Sequence, residues 1–189
     1  FSIIIPTKNR ASLLKEAMVS VLGQSHGDFE LIVIDDHSKD ETKRVSDSFH
    51  DGRIKYALNK SEERSAARNT GIDLAIGEYI CFLDDDDYYT ENYLKDFYEY
   101  LDFYNYPKNI ILRTGFIKIY ENSKEEKSSM YDEIKHKNPS NFVAYNMCGI
   151  GVCVPKIIFN EHKFDVRFPH WQDTHLILRI LEKNQLIQH

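Results

Sequence analysis

Tyr79-Ile80-Cys81-Phe82-Leu83-Asp84-Asp85-Asp86-Asp87 runs five apolar residues straight into four carboxylates. A short run that is apolar on both faces is the pattern of a buried parallel strand. The carboxylates that follow repel one another: two unit charges ~5.5 Å apart in an effective dielectric of ~20 interact by about 3 kcal/mol. Such a run gains most from a bound cation. Oxygen donors suit Mg²⁺ or Mn²⁺, and Mg²⁺ takes one or two protein carboxylates and completes its shell with phosphate oxygens and water. The run therefore points to a divalent metal and a diphosphate-bearing substrate. A solvated acidic loop is the plain alternative, and position weighs against it, because ligands of open α/β sheets bind outside the carboxyl ends of the strands. An EF-hand counted from Asp84 is excluded, since Tyr89 and Lys95 occupy the positions that need Gly and Glu.

Upstream of this run, strand and helix patterns alternate. Ser2 to Ile5 is a β-branched run closed by Pro6, and Ala11 to Leu22 places Leu13, Leu14, Ala17, Met18, Val21 and Leu22 on one helical stripe before Gly23. Glu30 to Ile34 is a second strand ending in Asp35-Asp36, and Ser38 three residues ahead of Glu41 predicts a capping box opening a helix to about Phe49. Ile54 to Leu58 reads as a third strand and Ser61 to Ile76 as a helix stopped by Gly77. Downstream, a helix from about Thr90 to Phe103 carries Tyr93, Phe97, Tyr100, Leu101 and Tyr104 as a core-packing stripe. The second half is less regular. Asn109 to Tyr120 reads as a long strand or hairpin arm, and Glu121 to Lys137 as a charged loop expected to be the mobile segment. Gly149 to Val154 reads as a strand and Lys156 to Asn160 as a short helical piece. Asp173 to Lys183 reads as a helix burying Leu176, Ile177, Ile180 and Leu181. Strand–helix alternation of this kind predicts an α/β fold with a mostly parallel sheet.

Composition narrows the function. The 189 residues carry 24 Lys+Arg against 30 Asp+Glu, a formal charge of -6, and 42% are hydrophobic, which predicts one globular domain. With no basic tract longer than Lys43-Arg44, nucleic acid is not an expected partner. No apolar run approaches the ~18 residues of a membrane-spanning helix. The sequence enters a strand pattern at Phe1 without a Met, so no signal peptide is read, and further residues are expected at either end. Cys81, Cys148 and Cys153 form no CxxC pair and fit reduced thiols in a cytoplasm. Cys148 and Cys153 with His162 and His170 match no common zinc spacing.

Two other strand ends belong with the acidic run. Asp35-Asp36 closes its strand as Asp84 to Asp87 closes another, with one of the pair free to fix a turn. Ile5-Pro6-Thr7-Lys8-Asn9-Arg10 brings backbone and short polar groups to the same rim. A glycine-rich phosphate loop is missing, because Gly149-Ile150-Gly151 continues into Val-Cys-Val without a third glycine. Phosphate charge must then be met by metal and side chains.

Taken in order, Ser2 to Arg10, Val21 to Ser25, Phe29 to Ser38, Ala67 to Gly71 and Gly77 to Asp87 resemble the family 2 glycosyltransferases, inverting enzymes of the GT-A fold that use nucleotide-diphospho-sugars. The resemblance covers the first ninety or so residues and is specific in combination. It implies a Rossmann-like, mostly parallel twisted sheet flanked by helices, with a smaller irregular acceptor-side half. It places the donor-binding half at residues 1–106 and the acceptor-binding half at 107–189. By the same resemblance Pro6 lies at the rim of the nucleobase pocket and Asp36 accepts from the base edge, which favours UDP. Asp84 faces the ribose or sugar, Asp85 touches the nucleotide, Asp86 holds Mn²⁺ or Mg²⁺, and Asp87 supports the loop. Arg68 neutralises phosphate charge beside Asn69, with a structural salt bridge as its other reading.

The segment Phe164 to Arg179 resembles the part of the family that ends in the catalytic base, here Asp173, where many members carry Glu-Asp and this chain has Gln172-Asp173. An Asp ahead of Thr-His-Leu is also an ordinary helix N-cap. Trp171 is placed to stack on the acceptor sugar, against its reading as a buried aromatic, and His175 sits one turn into the helix. The expected activity is metal-dependent, inverting transfer of a sugar from a UDP-sugar to a hydroxyl of a saccharide or glycolipid, in cell-surface polysaccharide synthesis. The expected setting is the cytoplasm, with peripheral association at the inner face of the membrane. Three other classes remain open. A sugar nucleotidyltransferase needs a glycine-rich loop after Pro6. A phosphatase resembling the haloacid dehalogenases needs Thr or Val where Tyr88 stands. A non-catalytic nucleotide-sugar-binding relative would be indifferent to Asp173→Asn.

Overall fold

The computed structural model describes residues 1–115, 117–119, 125–127, 151–168 and 170–182. Strands β1 (Ser2–Thr7), β2 (Glu30–Asp35), β3 (Ile54–Leu58) and β4 (Tyr79–Phe82) alternate with helices α1 (Ala11–Leu22), α2 (Thr42–Asp47) and α3 (Arg64–Leu74), and α4 (Tyr93–Phe103) follows. Short strands β5 (Leu112–Arg113), β6 (Ile117–Ile119), β7 (Glu125–Lys127) and β8 (Val152–Pro155) come next. A 3-10 turn over Lys156–Asn160 and helix α5 (Gln172–Glu182) complete the described chain. The main sheet has the order β3-β2-β1-β4-β8-β5, while β6 and β7 pair apart from it. The β1–β2, β2–β3 and β1–β4 pairings are parallel, and β8 enters antiparallel between β4 and β5. The expected α/β class with a mostly parallel sheet is what forms.

Alternation along the strands builds two cores. Ile3 and Ile5 of β1 face α1 and α4 with Leu14, Met18, Leu31, Val33, Tyr93 and Leu94. Ile4 faces the opposite layer with Ile32, Ile34, Ala67, Ile80, Phe82, Phe164, Leu176 and Ile177. The Tyr93 and Phe97 rings of the expected aromatic stripe are buried in the first core, edge to face at 4.9 Å between centroids. Helix α3 comes so close to β1 that a Cβ on Gly71 would overlap Ile4 Cγ2, so only glycine lets this helix seat.

Helix starts differ from the sequence expectation. The Ser38/Glu41 capping box does not form: Ser38 Oγ accepts from Asn9 N at 2.8 Å, and Ser38 N donates to Asp35 Oδ1 at 2.8 Å. Asp40 supplies the cap instead, accepting from Thr42 N at 3.0 Å through Oδ1 and from Ala11 N at 3.0 Å through Oδ2. One carboxylate thus anchors the starts of α1 and α2 and locks the β1–α1 and β2–α2 loops together at the carboxyl rim. Helix α3 starts at Arg64 rather than Ser61, capped by Glu63 Oε2 on Ala66 N at 2.8 Å. The long strand over 109–120 is two short ones, β5 and β6. Of the charged stretch 121–137 only Glu125–Lys127 is described, as a strand paired with β6. The rest of that stretch, Cys148, Gly149, the side chain of Leu181, and Lys183 lie outside the described residues.

Candidate functional site

Parallel register brings three strand ends to one rim. Thr7 pairs with Asp35 across β1–β2, and Ile4 pairs with Phe82 across β1–β4. The acidic run leaves β4 beside the loop that leaves β1. Asp85 turns inward: its Oδ2 accepts from Thr7 Oγ1 at 2.7 Å and its Oδ1 from Arg10 Nη1 at 3.0 Å. Asp84 and Asp86 turn outward. Arg10 Nη1 also donates to Asp86 Oδ2 at 2.8 Å, and Arg68 Nη2 donates to Asp84 Oδ1 at 2.8 Å. A bend in which Asp87 N donates to Asp84 O at 3.1 Å brings the last carboxylate back toward the first. Burial, and then repulsion from Asp84, Asp86 and Asp85, push the Asp87 carboxyl up to about 6.

One carboxylate oxygen from each of Asp84, Asp86 and Asp87 lies within 4.8 Å of the others, the grouping of metal-ligand type among the described residues. The donor set is all hard oxygen, and repulsion among these carboxylates adds to burial in raising the Asp87 carboxyl. Both observations fit an octahedral divalent cation such as Mg²⁺ or Mn²⁺. Cys153, by contrast, lies buried in β8 opposite Cys81, and both thiols are free.

On the β2 side the two carboxylates divide. Asp35 fixes the turn, accepting from Tyr56 OH and Ser38 N. Burial, with Asp35 adding to it, pushes the Tyr56 phenol well above its ordinary value. Asp36 faces the cleft, its Oδ1 held by Asn59 Nδ2 at 2.7 Å and its Oδ2 by Lys8 Nζ at 3.2 Å. Pro6, Asp36, Arg68, Asp84, Asp85 and Asp86 line one cleft of about 280 Å³, together with Thr7, Lys8, Arg10 and Arg64. A larger cavity of about 420 Å³ lies among Phe1, Phe29, Tyr79, Tyr98 and Tyr106. That cavity, which Asp28, Glu30 and Glu78 also line, is at the amino ends of β1, β2 and β4, whereas ligands of open α/β sheets bind at the carboxyl ends, so the smaller cleft is the candidate site.

The acceptor-side segment reaches this cleft through α5. Gln172, the first residue of α5, is buried; its Oε1 accepts from Arg68 Nη1 at 3.1 Å and its Nε2 donates to Glu63 Oε1 at 3.1 Å. Asp173 therefore stands in the first turn of α5 and does not precede it, one residue from the Arg68 contact and at the positive end of the helix dipole. Asn69, expected near the donor, instead clasps Phe164: its Nδ2 donates to Phe164 O at 2.9 Å and its Oδ1 accepts from Phe164 N at 3.0 Å. Trp171 is 74% exposed and adopts φ 58°, a left-handed backbone that a bulky side chain seldom takes. The His175 ring stacks on Phe168 at 3.9 Å, and its backbone N donates to Trp171 O at 2.9 Å. Four contributors were not assigned roles from the sequence: Arg10, Lys8, Asn59 and Gln172. Arg10 and Lys8 sit in the loop after Pro6, where two cations beside two acidic strand ends were a readable signal. Asn59 carries none, being an isolated amide, while the signal at Gln172 was its place in the pair Gln172-Asp173, where the resemblance leads one to expect Glu-Asp.

The chain matches the family model described as Glycosyl transferase family 2 over residues 2–155. It is 33% identical over 193 aligned positions to an uncharacterized glycosyltransferase of Rickettsia conorii, covering 98% of this chain and 30% of that protein. It is 32% identical over 199 positions to the UDP-Glc:alpha-D-GlcNAc-diphosphoundecaprenol beta-1,3-glucosyltransferase WfgD of Escherichia coli, covering 98% of this chain and 71% of that one. The chain thus spans less than a third of the first relative and most of the second. Among solved structures it is similar to S. aureus TarS 1-349 in complex with UDP-GlcNAc, with TM-score 0.74, 21% identity and coverage of 95% of this chain and 52% of that one. It is also similar to the mannosyltransferase PcManGT from Pyrobaculum calidifontis in complex with GDP-Man and Mn2+, with TM-score 0.70, 16% identity and coverage of 98% and 53%. At these identities the likeness shows a shared GT-A fold.

Proposed function

The chain belongs to glycosyl transferase family 2, and on that premise we propose that it moves a sugar from a UDP-sugar to a hydroxyl of a saccharide or glycolipid acceptor, with inversion. The observation that carries the reading is the convergence on one cleft of Asp36, Arg68, Asp84 and Asp86, with the start of α5 tied to Arg68 through Gln172. The Escherichia coli relative, by its name a UDP-Glc-dependent glucosyltransferase with a GlcNAc-diphosphoundecaprenol acceptor, supports both the donor and the acceptor class.

In this reading residues 1–106 form the donor half and 107–189 the acceptor half. Pro6 and Asp36 hold the nucleobase, with Asn59 and Lys8 fixing the Asp36 carboxylate so that it meets the base edge in one orientation. Asp84 faces the ribose and diphosphate, the inward Asp85 holds Thr7 and Arg10 beneath them, and Asp86 with Asp84 and Asp87 would hold the divalent cation. When bound, that ion supplies electrostatic stabilisation of the departing diphosphate. Arg68 and Arg10 add fixed positive charge beside the same oxygens, preorganised by the carboxylates they already touch. Asp173 takes the proton from the acceptor hydroxyl as its oxygen attacks the anomeric carbon opposite the diphosphate, a role worth typically 10²–10⁴-fold. Trp171, held outward, offers its face to the acceptor ring, with His175 beside it.

No helix among the described residues is long and apolar enough to cross a membrane. A glycolipid acceptor places the work at the cytoplasmic face of a membrane, in assembly of a surface polysaccharide. Calorimetric titration of UDP, GDP and CMP, each with Mn²⁺ and after chelation, tests the donor site: UDP binds with metal, and the others bind more weakly. Absence of nucleotide binding under every condition would reject the reading.

A further inference from the structure

Arg68 is buried, only 6% exposed, with its guanidinium 5.7 Å from the Phe164 ring. Its Nη2 is on Asp84 and its Nη1 on Gln172, while its Nε makes no hydrogen bond. Gln172 is in turn gripped from the other side by Glu63, whose second oxygen caps α3 through Ala66 N. The amide orientation is fixed by its neighbours: the carbonyl must meet the guanidinium and the NH₂ must meet the carboxylate, because the flipped amide would set donor against donor and acceptor against acceptor. We infer that Gln172 is a positioning residue whose neutral amide holds Arg68 toward the donor diphosphate while leaving the guanidinium charge available to it. The inference rests on the donor-site reading above.

The choice of a neutral side chain follows from the charges around it. Glu63, the cap of α3, and Arg68 within α3 contact it, Asp84 at the end of β4 is the other partner of Arg68, and Asp173 follows it on α5. A carboxylate at position 172 would set its oxygen 3.1 Å from Glu63 Oε1, the distance now bridged by an N–H donor. Two carboxylates at that separation cannot both stay ionised without cost. It would also give Arg68 a second anionic partner in addition to Asp84, so that the diphosphate meets a guanidinium already neutralised. One added unit charge ~10 Å from the diphosphate at an effective dielectric of ~20 changes its binding on the order of tenfold.

Two variants test this, Gln172→Glu and the exchange Gln172→Glu/Glu63→Gln. In the exchanged protein the amide introduced at position 63 still caps Ala66 N through its carbonyl and donates through its NH₂ to the carboxylate introduced at position 172. The three hydrogen bonds named above, to Ala66 N, to Arg68 and between the two side chains, are kept, and the melting temperature should match the wild type. UDP with Mn²⁺ is expected to bind Gln172→Glu about tenfold more weakly and the exchanged protein, where a charge is moved ~3 Å toward Arg68 and none is added, about twofold more weakly, while uridine, which lacks the phosphates, competes equally well in all three proteins. If Gln172→Glu does not fold, the exchanged protein carries the comparison alone. Undiminished UDP affinity in the exchanged protein, or uridine weakened in parallel with UDP, overturns the assignment. A wild type that binds no UDP at all rejects the donor-site reading, and this inference falls with it.

Discussion

Asp86→Asn should raise the stability of the free protein and abolish its response to metal and nucleotide. Asp84, Asp86 and Asp87 bring carboxylate oxygens within 4.8 Å of one another. At that distance and an effective dielectric of ~20, each ionised pair is unfavourable by about 3.5 kcal/mol before solvent screening. The Asp86 side chain is 49% exposed, so most of this is screened, and loss of its half-exposed ion pair with Arg10 removes about 0–1 kcal/mol in the other direction. Arg10 keeps Asp85 as a partner. A net gain of about 1 kcal/mol remains, or roughly 2–4 °C in Tm for a domain of this size. The gain depends on pH in a stated sense. Asp87, raised to about 6, binds more protons folded than unfolded between its ordinary value and 6. The wild type therefore loses stability as pH rises through 6, and the advantage of Asp86→Asn is largest at pH 7–8 and shrinks toward pH 5. With Mn²⁺ and UDP at about 100 times Kd the wild type should gain about 2.7 kcal/mol, and the variant should gain nothing. Thermal melts in chelator and in Mn²⁺ plus UDP, at two pH values, give all four numbers. A variant that melts below the wild type in chelator, or that keeps the ligand-dependent rise, refutes the reasoning.

Asp173→Asn should lower kcat by roughly 10²–10⁴-fold while leaving the calorimetric affinity for UDP unchanged, since the base acts on the acceptor oxygen; loss of UDP binding would place this residue in the donor site instead. Glu30, buried at the amino ends of the strands, accepts from Ser2 Oγ at 2.5 Å and Ile76 N at 2.6 Å and forms an ion pair with Lys55 Nζ at 2.7 Å. Burial raises its carboxyl, but these partners outweigh burial and hold it below the ordinary value, so its stabilisation is present above ~4.5 and lost as pH falls through the depressed folded value. Glu30→Gln should cost about 1.5–3 kcal/mol at pH 7 in urea denaturation and flatten the acid limb; an unchanged acid limb would show that other carboxylates control it. Trp171→Asn should stabilise by about 0.5–1 kcal/mol, because Asn tolerates the left-handed backbone and the exposed ring buries little. The same change should raise the KM for acceptor and leave that for donor unmoved, and an unaffected acceptor KM removes Trp171 from the acceptor surface.

What the sequence made legible is what depends on neighbours in sequence. The strands were readable because their burial is nearly continuous, as in Glu30–Asp35, every residue of which is buried. The acidic strand end was readable because four like charges have few explanations. Helix starts were not, and the reason lies in the site. Asn59 Nδ2 donates to the carbonyls of Ser61 and Glu63 while also holding Asp36, which draws residues 61–63 out of the helix that their pattern favours. In the same way Ser38 abandons its capping role because Asn9 and Asp35 compete for it with better-placed groups. Local propensity yields where the loops must be tied to the rim. The site partners themselves lie far apart in sequence: Arg10 reaches Asp85 across 75 residues and Arg68 reaches Gln172 across 104. A single sequence without strand order holds no signal for such pairs. Once β1 is placed between β2 and β4, the loop after Pro6 can go nowhere else than between the two acidic strand ends, and its two cations acquire their partners from topology alone.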